Sequence, residues 1–316
     1  MKEAILLTYM GAPSSLSEIR PFLYRLFSDR DLINFGVPAF FQKPLAFLIS
    51  LFRAPKVKPQ YEAIGGGSPL VKYTYEQAEL IERKTGIKTF VGMLYSSPLL
   101  KEVSEEIVNY SPDLLYVITL YPQFSLGTAG ACLRDVEKFL KGRVPYKAVK
   151  SWCRNPLYIR WIQESIRGEL SGLSPSDTAI LFSAHSLPEY FIKEKKDPYV
   201  KEVEDTVKLS MEAFPGFPFR ISYQSKVGPI KWLEPSTEEM LYKLKEEGFK
   251  NVVVFPVSFV SEHIETLYEL DVEYAKVAKE LGLNYRRVKL NHLSPLLIDA
   301  VVLELDKLRN NVSKAF

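Results

Sequence analysis

The sequence predicts an α/β protein built from two similar, doubly wound halves with parallel sheets (Rossmann-like). Short apolar runs of strand length alternate with helix-length segments along all 316 residues, which is typical of βαβ units. After a linker at 172–177 the pattern restarts. The stretch 179–188, AILFSAHSLP, repeats 4–13, AILLTYMGAP, with four identical positions in ten, and aligns Met10 with His185. We therefore expect halves at 1–150 and 151–316.

In the first half the apolar runs predict four strands, and the segments between them predict helices, the first capped by Ser17. The last amphipathic segment, 294–309, is predicted to pack back across both halves as a helix. The predicted strands are 4–8, 89–94, 114–120 and 146–151; the predicted helices are 17–27, 73–84, 97–110, 128–140 and 155–171.

Composition excludes several classes of protein. Apolar residues make up 47% and charged residues 25%, enough for a full core. A net charge of +3 argues against a nucleic-acid partner. The two cysteines, Cys132 and Cys153, form no C-x-x-C pair and suit a reducing compartment. No signal peptide and no apolar run of about 18 residues is present, so we expect a protein without a spanning helix.

An apolar segment at 38–52, PAFFQKPLAFLISLF, has two interpretations. Ten of its fifteen residues are apolar, so a core helix is the default. The alternative is an exposed lip, part of a region at about 38–69, that meets a flat ligand or a membrane surface. Nearby basic residues favour the lip, because they could meet carboxylates or anionic lipid; they are Lys43, Arg53, Lys56 and Lys58.

The second half centres on 251–274. An apolar strand at 252–255 ends at Pro256, and a helical segment follows with Glu265, Glu269 and Glu273 four residues apart. Such spacing stacks the carboxylates along one side of a helix. The stripe is either a solvated acidic face or the wall of a site, because open α/β sheets bind ligands beyond the carboxyl ends of their strands.

Two of the three histidines, His185 and His263, also follow predicted strands. A histidine beside a carboxylate can exchange protons near neutral pH or bind a metal. His185 with Glu265 is therefore an acid–base pair or a weak two-ligand metal site, and a closed structural zinc site is not expected. Aromatic residues near the strand ends would suit a large planar ligand: Tyr9, Tyr95, Tyr121, Phe124, Tyr223, Trp232 and Phe259.

Several strings in order and spacing resemble the ferrochelatase family, enzymes that insert ferrous iron into a porphyrin. They are YEAIGGGSP (61–69), LYPQFS (120–125), LFSAHSLP (181–188), DPY (197–199), YQSKVGP (223–229), WL (232–233) and HIETLYELD (263–271). The resemblance implies two doubly wound halves with a porphyrin cleft between them.

The resemblance also implies roles for single residues. His185 matches the catalytic histidine and Glu265 its acidic partner. A distorted helix would direct Glu265, Glu269 and Glu273 along a path for metal ions or protons, so His185 and these glutamates are the expected metal ligands. The expected substrate-binding residues are Met10, Arg53, Tyr61, Ser68, Tyr95, Tyr121, Ser125, Trp232, Phe259 and His263.

Methionine at position 10 resembles the protoporphyrin-using branch, with coproporphyrin as the alternative. The implied reaction, the last step of haem biosynthesis, uses ferrous iron as substrate, with no permanently bound cofactor and no iron–sulfur cluster. We expect a cytoplasmic monomer without a targeting extension; a dimer and peripheral membrane contact stay open. Two rivals also stay open: a chelatase for another tetrapyrrole, such as one inserting cobalt into a corrin precursor, and a porphyrin carrier without turnover.

Overall fold

A computed structural model describes residues 1–226, 228 and 230–310. The chain divides into two compact units. Unit 1 comprises Met1–Trp152 together with the C-terminal stretch from Ile298, and unit 2 comprises Cys153–Leu297. Most of the last helix thus belongs to the first unit, although its sequence position had placed it in the second half. Two residues of the YQSKVGP string, Val227 and Pro229, and residues 311–316 lie outside the described part.

Each unit contains a four-stranded parallel sheet. The order is β2-β1-β3-β4 in unit 1 and β6-β5-β7-β8 in unit 2, so each strand of one sheet has a counterpart four strands later in the chain. The predicted α/β class with two doubly wound halves is confirmed. The strands are β1 (Glu3–Tyr9), β2 (Lys88–Met93), β3 (Leu114–Thr119), β4 (Tyr146–Val149), β5 (Thr178–His185), β6 (Phe219–Gln224), β7 (Asn251–Pro256) and β8 (Asn284–Arg287).

The central strands β1, β3, β5 and β7 are almost entirely buried, as expected for continuous apolar runs covered by helices on both faces. The helices are α1 (Ile19–Ser28), α2 (Ala39–Ala63), α3 (Leu70–Thr85), α4 (Leu100–Tyr110), α5 (Ala129–Leu140), α6 (Pro156–Glu169), α7 (Glu189–Lys193), α8 (Tyr199–Met211), α9 (Thr237–Glu246), α10 (Ala275–Glu280) and α11 (Pro295–Asn310). A 3₁₀ turn (Leu16–Glu18) precedes α1, and a π-helix (Glu265–Tyr274) precedes α10.

Two helices of unit 2 begin at residues whose side chains cap them. The Asn155 side chain accepts hydrogen bonds from the first turn of α6, and Ser236 with Glu239 forms a capping box at α9. The helix predicted at 17–27 is observed as α1, but the predicted cap was wrong, because Ser17 lies inside the 3₁₀ turn and gives α1 no cap.

The segment at 38–52 is not a core helix. It forms the first part of α2, whose buried stripe consists of Gln42, Ala46 and Ser50, four residues apart. Gln42 Nε2 donates to the carbonyl oxygens of Phe27 and Ile33, each at 2.8 Å. Because small and polar residues occupy the packed face, the large apolar side chains are left on the outside. The exposed ones are Phe40, Phe41, Phe47, Leu48, Leu51 and Phe52, which we call the lip.

No helix in the described part of the chain is both long and apolar enough to cross a membrane.

Candidate active site

A carboxylate between two imidazoles lies beyond the carboxyl ends of β5 and β7. Oε2 of Glu265 is 3.2 Å from Nδ1 of His185 and 3.1 Å from Nε2 of His263. His185 is the last residue of β5, and Glu265 opens the π-helix that follows β7. The pairing of His185 with Glu265 was anticipated from the two strand ends. The contact of His263 with the same oxygen emerges only from the fold.

The backbone of His185 is held on both sides. Its N–H donates to Ser258 Oγ at 3.2 Å, and its carbonyl accepts from the Tyr199 hydroxyl at 2.9 Å. The Tyr199 and Ser258 hydroxyls also bond each other. The backbone of His185 is thus held by the loop after β7 and by the start of α8, independently of any contact that its imidazole ring makes.

The two ring nitrogens of His185 have different surroundings. Nδ1 is buried, and its contact with Glu265 is close but not aligned as a hydrogen bond. The side chain as a whole is 30% exposed, and Nε2 makes no hydrogen bond to any described residue. A proton on Nδ1 would face Glu265, which leaves Nε2 as the nitrogen available to an incoming group.

Charge in this cluster stabilises the ionised form of Glu265 and raises the affinity of His185 for a proton. Burial lowers the pKa of His185, but the negative charge of Glu265 outweighs it, so the pKa is raised above its usual value. Burial raises the pKa of Glu265, but the two neighbouring imidazoles lower it further, and the net direction is well below the usual range. Glu265 is therefore an anion at neutral pH, and His185 accepts a proton readily.

Glu269, four residues after Glu265 on the π-helix, has a raised pKa, whereas that of Glu265 is lowered. Its Oε2 accepts from Ser225 Oγ at 2.6 Å and from Gln224 Nε2 at 3.3 Å. Burial, reinforced by the charge of Glu265, raises the pKa of Glu269 to about 8. Glu269 therefore holds a proton at neutral pH. Glu273, a further step along, is exposed.

The glutamates stack in the π-helix much as they would in an α-helix. Four residues advance the side chain by about 40° in an α-helix and by roughly −30° in a π-helix, so either form keeps them on one side. The distorted helix implied by the resemblance is present as this ten-residue π-helix. A fully solvated acidic face is not observed, because only Glu273 of the three is exposed.

An aromatic side chain, that of Phe259, borders the cluster. The ring of Phe259 is buried, 4.2 Å from that of His263 and 6.3 Å from that of His185, measured between centroids. Trp232 is half-buried, and its Nε1 has no hydrogen-bond partner among the described residues. Both belong to the predicted substrate-binding set.

In unit 1 the structure brings Met10, Tyr95 and Tyr121 together beyond β1. The N–H of Met10 donates to the Tyr121 hydroxyl at 3.3 Å, and its carbonyl accepts from the N–H of Tyr95 at 3.0 Å. The Tyr95 ring is buried and its hydroxyl donates to Asp29 at 2.6 Å, so this side chain is committed to the interior of unit 1.

The predicted carboxylate-binding residues of unit 1 lie along α2 and the turn after it. Arg53 is on α2 and forms no ion pair with any described residue, whereas Tyr61 is buried at the end of the same helix. Ser68 is buried, and its N–H donates to the carbonyl of Pro13 at 2.8 Å. A Cβ at Gly67 would lie 2.1 Å from the carbonyl oxygen of Ser14, so only glycine permits this approach.

Ser125, also predicted to bind substrate, is fully buried, and its Oγ accepts from the N–H of Gly127 at 3.1 Å.

The described part of the chain shows no ready-made metal site. Within residues 1–226, 228 and 230–310 no three histidine, cysteine or carboxylate side chains are grouped to hold a metal ion.

Sequence reasoning missed the residues that support the cluster. Gln224 Nε2 donates to the carbonyl of Glu265 at 2.9 Å, while its Oε1 accepts from Ser183 Oγ at 2.7 Å. Ser225, Ser258 and Tyr199 hold Glu269 or His185 as described. The available signal was the strings themselves, because Gln224 and Ser225 belong to YQSKVGP and Tyr199 to DPY.

Comparison with known proteins decides what this site belongs to. A sequence profile of the ferrochelatase family matches residues 2–305. The chain belongs to the ferrochelatase family. A ferrochelatase from Picosynechococcus is 43% identical over 311 residues, covering 94% of this chain and 80% of the relative. One from Sulfurihydrogenibium is 40% identical over 327 residues, covering 95% and 96%.

Solved chelatase structures share the fold. SirB from Bacillus subtilis with Fe³⁺ superposes with a TM-score of 0.61 at 12% identity, covering 100% of this chain and 99% of that one. The sirohydrochlorin chelatase SirB in complex with cobalt gives 0.55 at 11% identity, covering 96% and 93%. These likenesses concern the fold alone.

Ferrochelatase membership makes the protein a metal chelatase, a lyase whose substrates are a porphyrin and iron. This membership argues against the two rival hypotheses, a porphyrin carrier without turnover and a chelatase that inserts cobalt into a corrin precursor.

Proposed function

We propose that this protein inserts ferrous iron into protoporphyrin IX with release of two protons, the last step of haem biosynthesis. The carrying observation is the carboxylate of Glu265 held between His185 and His263, with the outer nitrogen of His185 left open. Metal insertion requires two pyrrole N–H protons to leave, so the enzyme needs a base beside the ring and a route away from it.

His185 serves as the base. Its Nε2 accepts a pyrrole proton while Glu265 stabilises the resulting imidazolium across the Nδ1 contact of 3.2 Å. The raised pKa of His185 gives it the driving force to take the proton. The backbone bonds from Ser258 and Tyr199 fix the ring's position, which lowers the cost of reaching the reactive geometry.

Glu269 and Glu273 carry protons away. Glu269 is protonated at neutral pH, so it passes a proton on by releasing its own towards the exposed Glu273 and taking up the one that arrives from the Glu265 side. Ferrous iron binds in passing to His185 and Glu265. A metal ligand must be deprotonated, so the raised pKa of Glu269 favours proton carriage over the ligand role also predicted for it.

Protoporphyrin is proposed over coproporphyrin on the basis of Met10. The Met10 side chain ends in an apolar thioether. Met10 follows Tyr9 in the chain, and the centroid of the Tyr9 ring lies 4.3 Å from that of Tyr121. Coproporphyrin carries two more carboxylates than protoporphyrin and would call for more cationic or hydroxyl partners. Arg53, Tyr61 and Ser68 are proposed to meet the two propionates, and Arg53 has no competing ion pair in the described chain.

The lip is proposed to rest on a membrane surface or to shield the porphyrin. Its six apolar side chains are exposed next to the basic residues Lys43, Lys56 and Lys58, a combination that suits anionic lipid. We further propose a cytoplasmic monomer without an iron–sulfur cluster. Support for a reducing compartment and for the absence of a cluster comes from Cys132 and Cys153, which are both buried and form no disulfide.

An anaerobic assay tests the function. Protein, ferrous iron and either protoporphyrin or coproporphyrin are mixed, and loss of free-porphyrin fluorescence is followed. Many turnovers with protoporphyrin, at a higher kcat/KM than with coproporphyrin, are expected. A preference for coproporphyrin would overturn the substrate assignment.

His185→Ala tests the base in the same assay. The rate should fall by about 10²–10⁴-fold because the proton acceptor is lost, while porphyrin binding remains measurable. His292→Ala is the matched control, since this third histidine lies outside the cluster. Near-normal turnover in His185→Ala would remove His185 from the mechanism.

A further inference from the structure

A buried arginine at the end of β8 contacts both sides of the segment that carries the active-site side chains. We propose that Arg287 is a positioning residue that fixes the register of the π-helix and so keeps Glu265 between His185 and His263. The inference rests on the proposed function, because it assigns a role in that reaction to a residue that touches none of the reacting groups.

The contacts of Arg287 are specific in geometry. Its Nε donates to Asp271 Oδ1 at 2.7 Å and its Nη2 donates to Oδ2 of the same carboxylate, which makes a two-pronged pair. Its Nη1 donates to Glu262 Oε1, which also accepts from the N–H of Leu290 at 2.8 Å. The Arg287 side chain is only 3% exposed, so water competes little for the guanidinium, and of its two partners Glu262 is buried while Asp271 is 33% exposed.

The two carboxylates lie on either side of the functional segment. Glu262 directly precedes His263, and Asp271 follows Glu265 by six residues within the π-helix. One guanidinium therefore links the residue before His263 to the body of the helix that begins with Glu265. We call this arrangement the Arg287 clamp.

The separation of Asp271 from Glu265 makes the clamp sensitive to helix type. Six residues advance the side chain by about 240° in an α-helix, at about 100° per residue, but by roughly 130° in a π-helix. With Asp271 held on Arg287, a change to the α form would swing Glu265 by about 110°. The carboxylate would then leave the two imidazoles.

The π form needs such support. It is rare, so contacts from outside the helix are needed to hold it in place of the α form. Other side chains satisfy its carbonyl groups: Tyr285 OH donates to Leu270 O at 2.9 Å, and Gln224 Nε2 donates to Glu265 O at 2.9 Å. Tyr285 and Arg287 lie two residues apart on β8, so one strand supports the helix at adjacent points.

Two variants test the clamp. Arg287→Lys keeps the charge but loses the two-pronged bond. Asp271→Asn removes the charge and one of the two acceptor oxygens at position 271, while Arg287 stays paired with Glu262. We expect each to lower kcat by about 10- to 100-fold, with KM for protoporphyrin within about twofold, because the base is misplaced while the porphyrin surface is intact. Amide hydrogen exchange in peptides covering 262–274 should become faster in both.

Arg286→Gln is the matched control. Arg286 is the neighbouring residue on β8, but it donates to the carbonyls of Glu169 and Ser171, away from the π-helix. It should leave kcat and the exchange of 262–274 unchanged. A purely structural role for Arg287 would lower thermal stability without lowering kcat in the folded protein at 25 °C.

The proposal is overturned if both clamp variants keep kcat within twofold of the wild type, or if Arg286→Gln loses as much. Amide hydrogen exchange of residues 262–274 distinguishes failure of the Arg287 clamp from failure of the proposed function. If the wild type inserts no iron into protoporphyrin, unchanged exchange in Asp271→Asn still overturns the clamp, and faster exchange still supports it.

Discussion

Glutamine in place of Glu269 should stabilise the protein at alkaline pH and have little effect at pH 5. In the folded protein burial, with the charge of Glu265, raises the pKa of Glu269 from its usual 4.5 to about 8. The native state thus retains a proton that the unfolded chain releases between these values. Stability therefore falls as pH rises from about 4.5 to 8.

The size of the effect follows from the shift. At about 1.4 kcal/mol per pKa unit, a rise from 4.5 to about 8 corresponds to an upper limit of roughly 5 kcal/mol. The charge interaction with Glu265 is shared between the two groups, so we expect about 2–3 kcal/mol. Glutamine is neutral at every pH and keeps an oxygen that accepts from Ser225 Oγ, so the variant avoids this loss.

Urea unfolding of the wild type and Glu269→Gln at pH 5 and pH 9 measures the difference. The variant should be more stable by about 2–3 kcal/mol at pH 9 and within about 0.5 kcal/mol of the wild type at pH 5. Glu273→Gln provides the control. It lies on the same π-helix but is exposed, so its benefit at pH 9 should be clearly smaller.

The reasoning is refuted by a stabilisation that does not change between pH 5 and pH 9, or by equal effects of the two variants. The first result would mean that Glu269 ionises freely in the folded protein, and the second that its burial does not distinguish it from Glu273. The assignment of Glu269 as a proton carrier at neutral pH would then fail with it.

Two further predictions concern the cluster and the scaffold. Glu265→Gln removes the charge that raises the pKa of His185, so the acid limb of the kcat–pH profile should move to lower pH while kcat falls by about 100-fold; a limb that moves upward or stays in place would contradict the pairing. Gly168→Ala, at an exposed and open position in α6, should stabilise the protein by about 0.5–1 kcal/mol in urea unfolding, whereas Gly67→Ala should destabilise it because the added Cβ would meet the Ser14 carbonyl; equal effects would contradict the packing at Gly67.

Apolar runs were enough to predict the strands of unit 1 and the central strands β5 and β7, because a strand covered on both faces needs a continuous apolar run. The edge strands β6 and β8 were not predicted, because polar residues interrupt them and they are only partly buried. The same runs located His185 at a strand end, and the rule for open α/β sheets linked it to Glu265. Composition was insufficient at 38–52. Ten apolar residues predict a buried helix. In the structure, however, Gln42 donates hydrogen bonds to the carbonyls of Phe27 and Ile33, in and just after α1, so the face of α2 that contains Gln42 is the one that is buried.

The sequence by itself determined the fold class, the two related halves and the chemical pair His185 and Glu265, since these depend on local pattern and on chain order. Tertiary structure decided the rest. The glutamate spacing fits an α-helix and a π-helix equally, so contacts from side chains distant in sequence determine which of the two helix types forms. Arg287 on β8 bonds Asp271, and Gln224 at the end of β6 bonds the Glu265 carbonyl; these contacts exist only after β6, β7 and β8 have paired around β5.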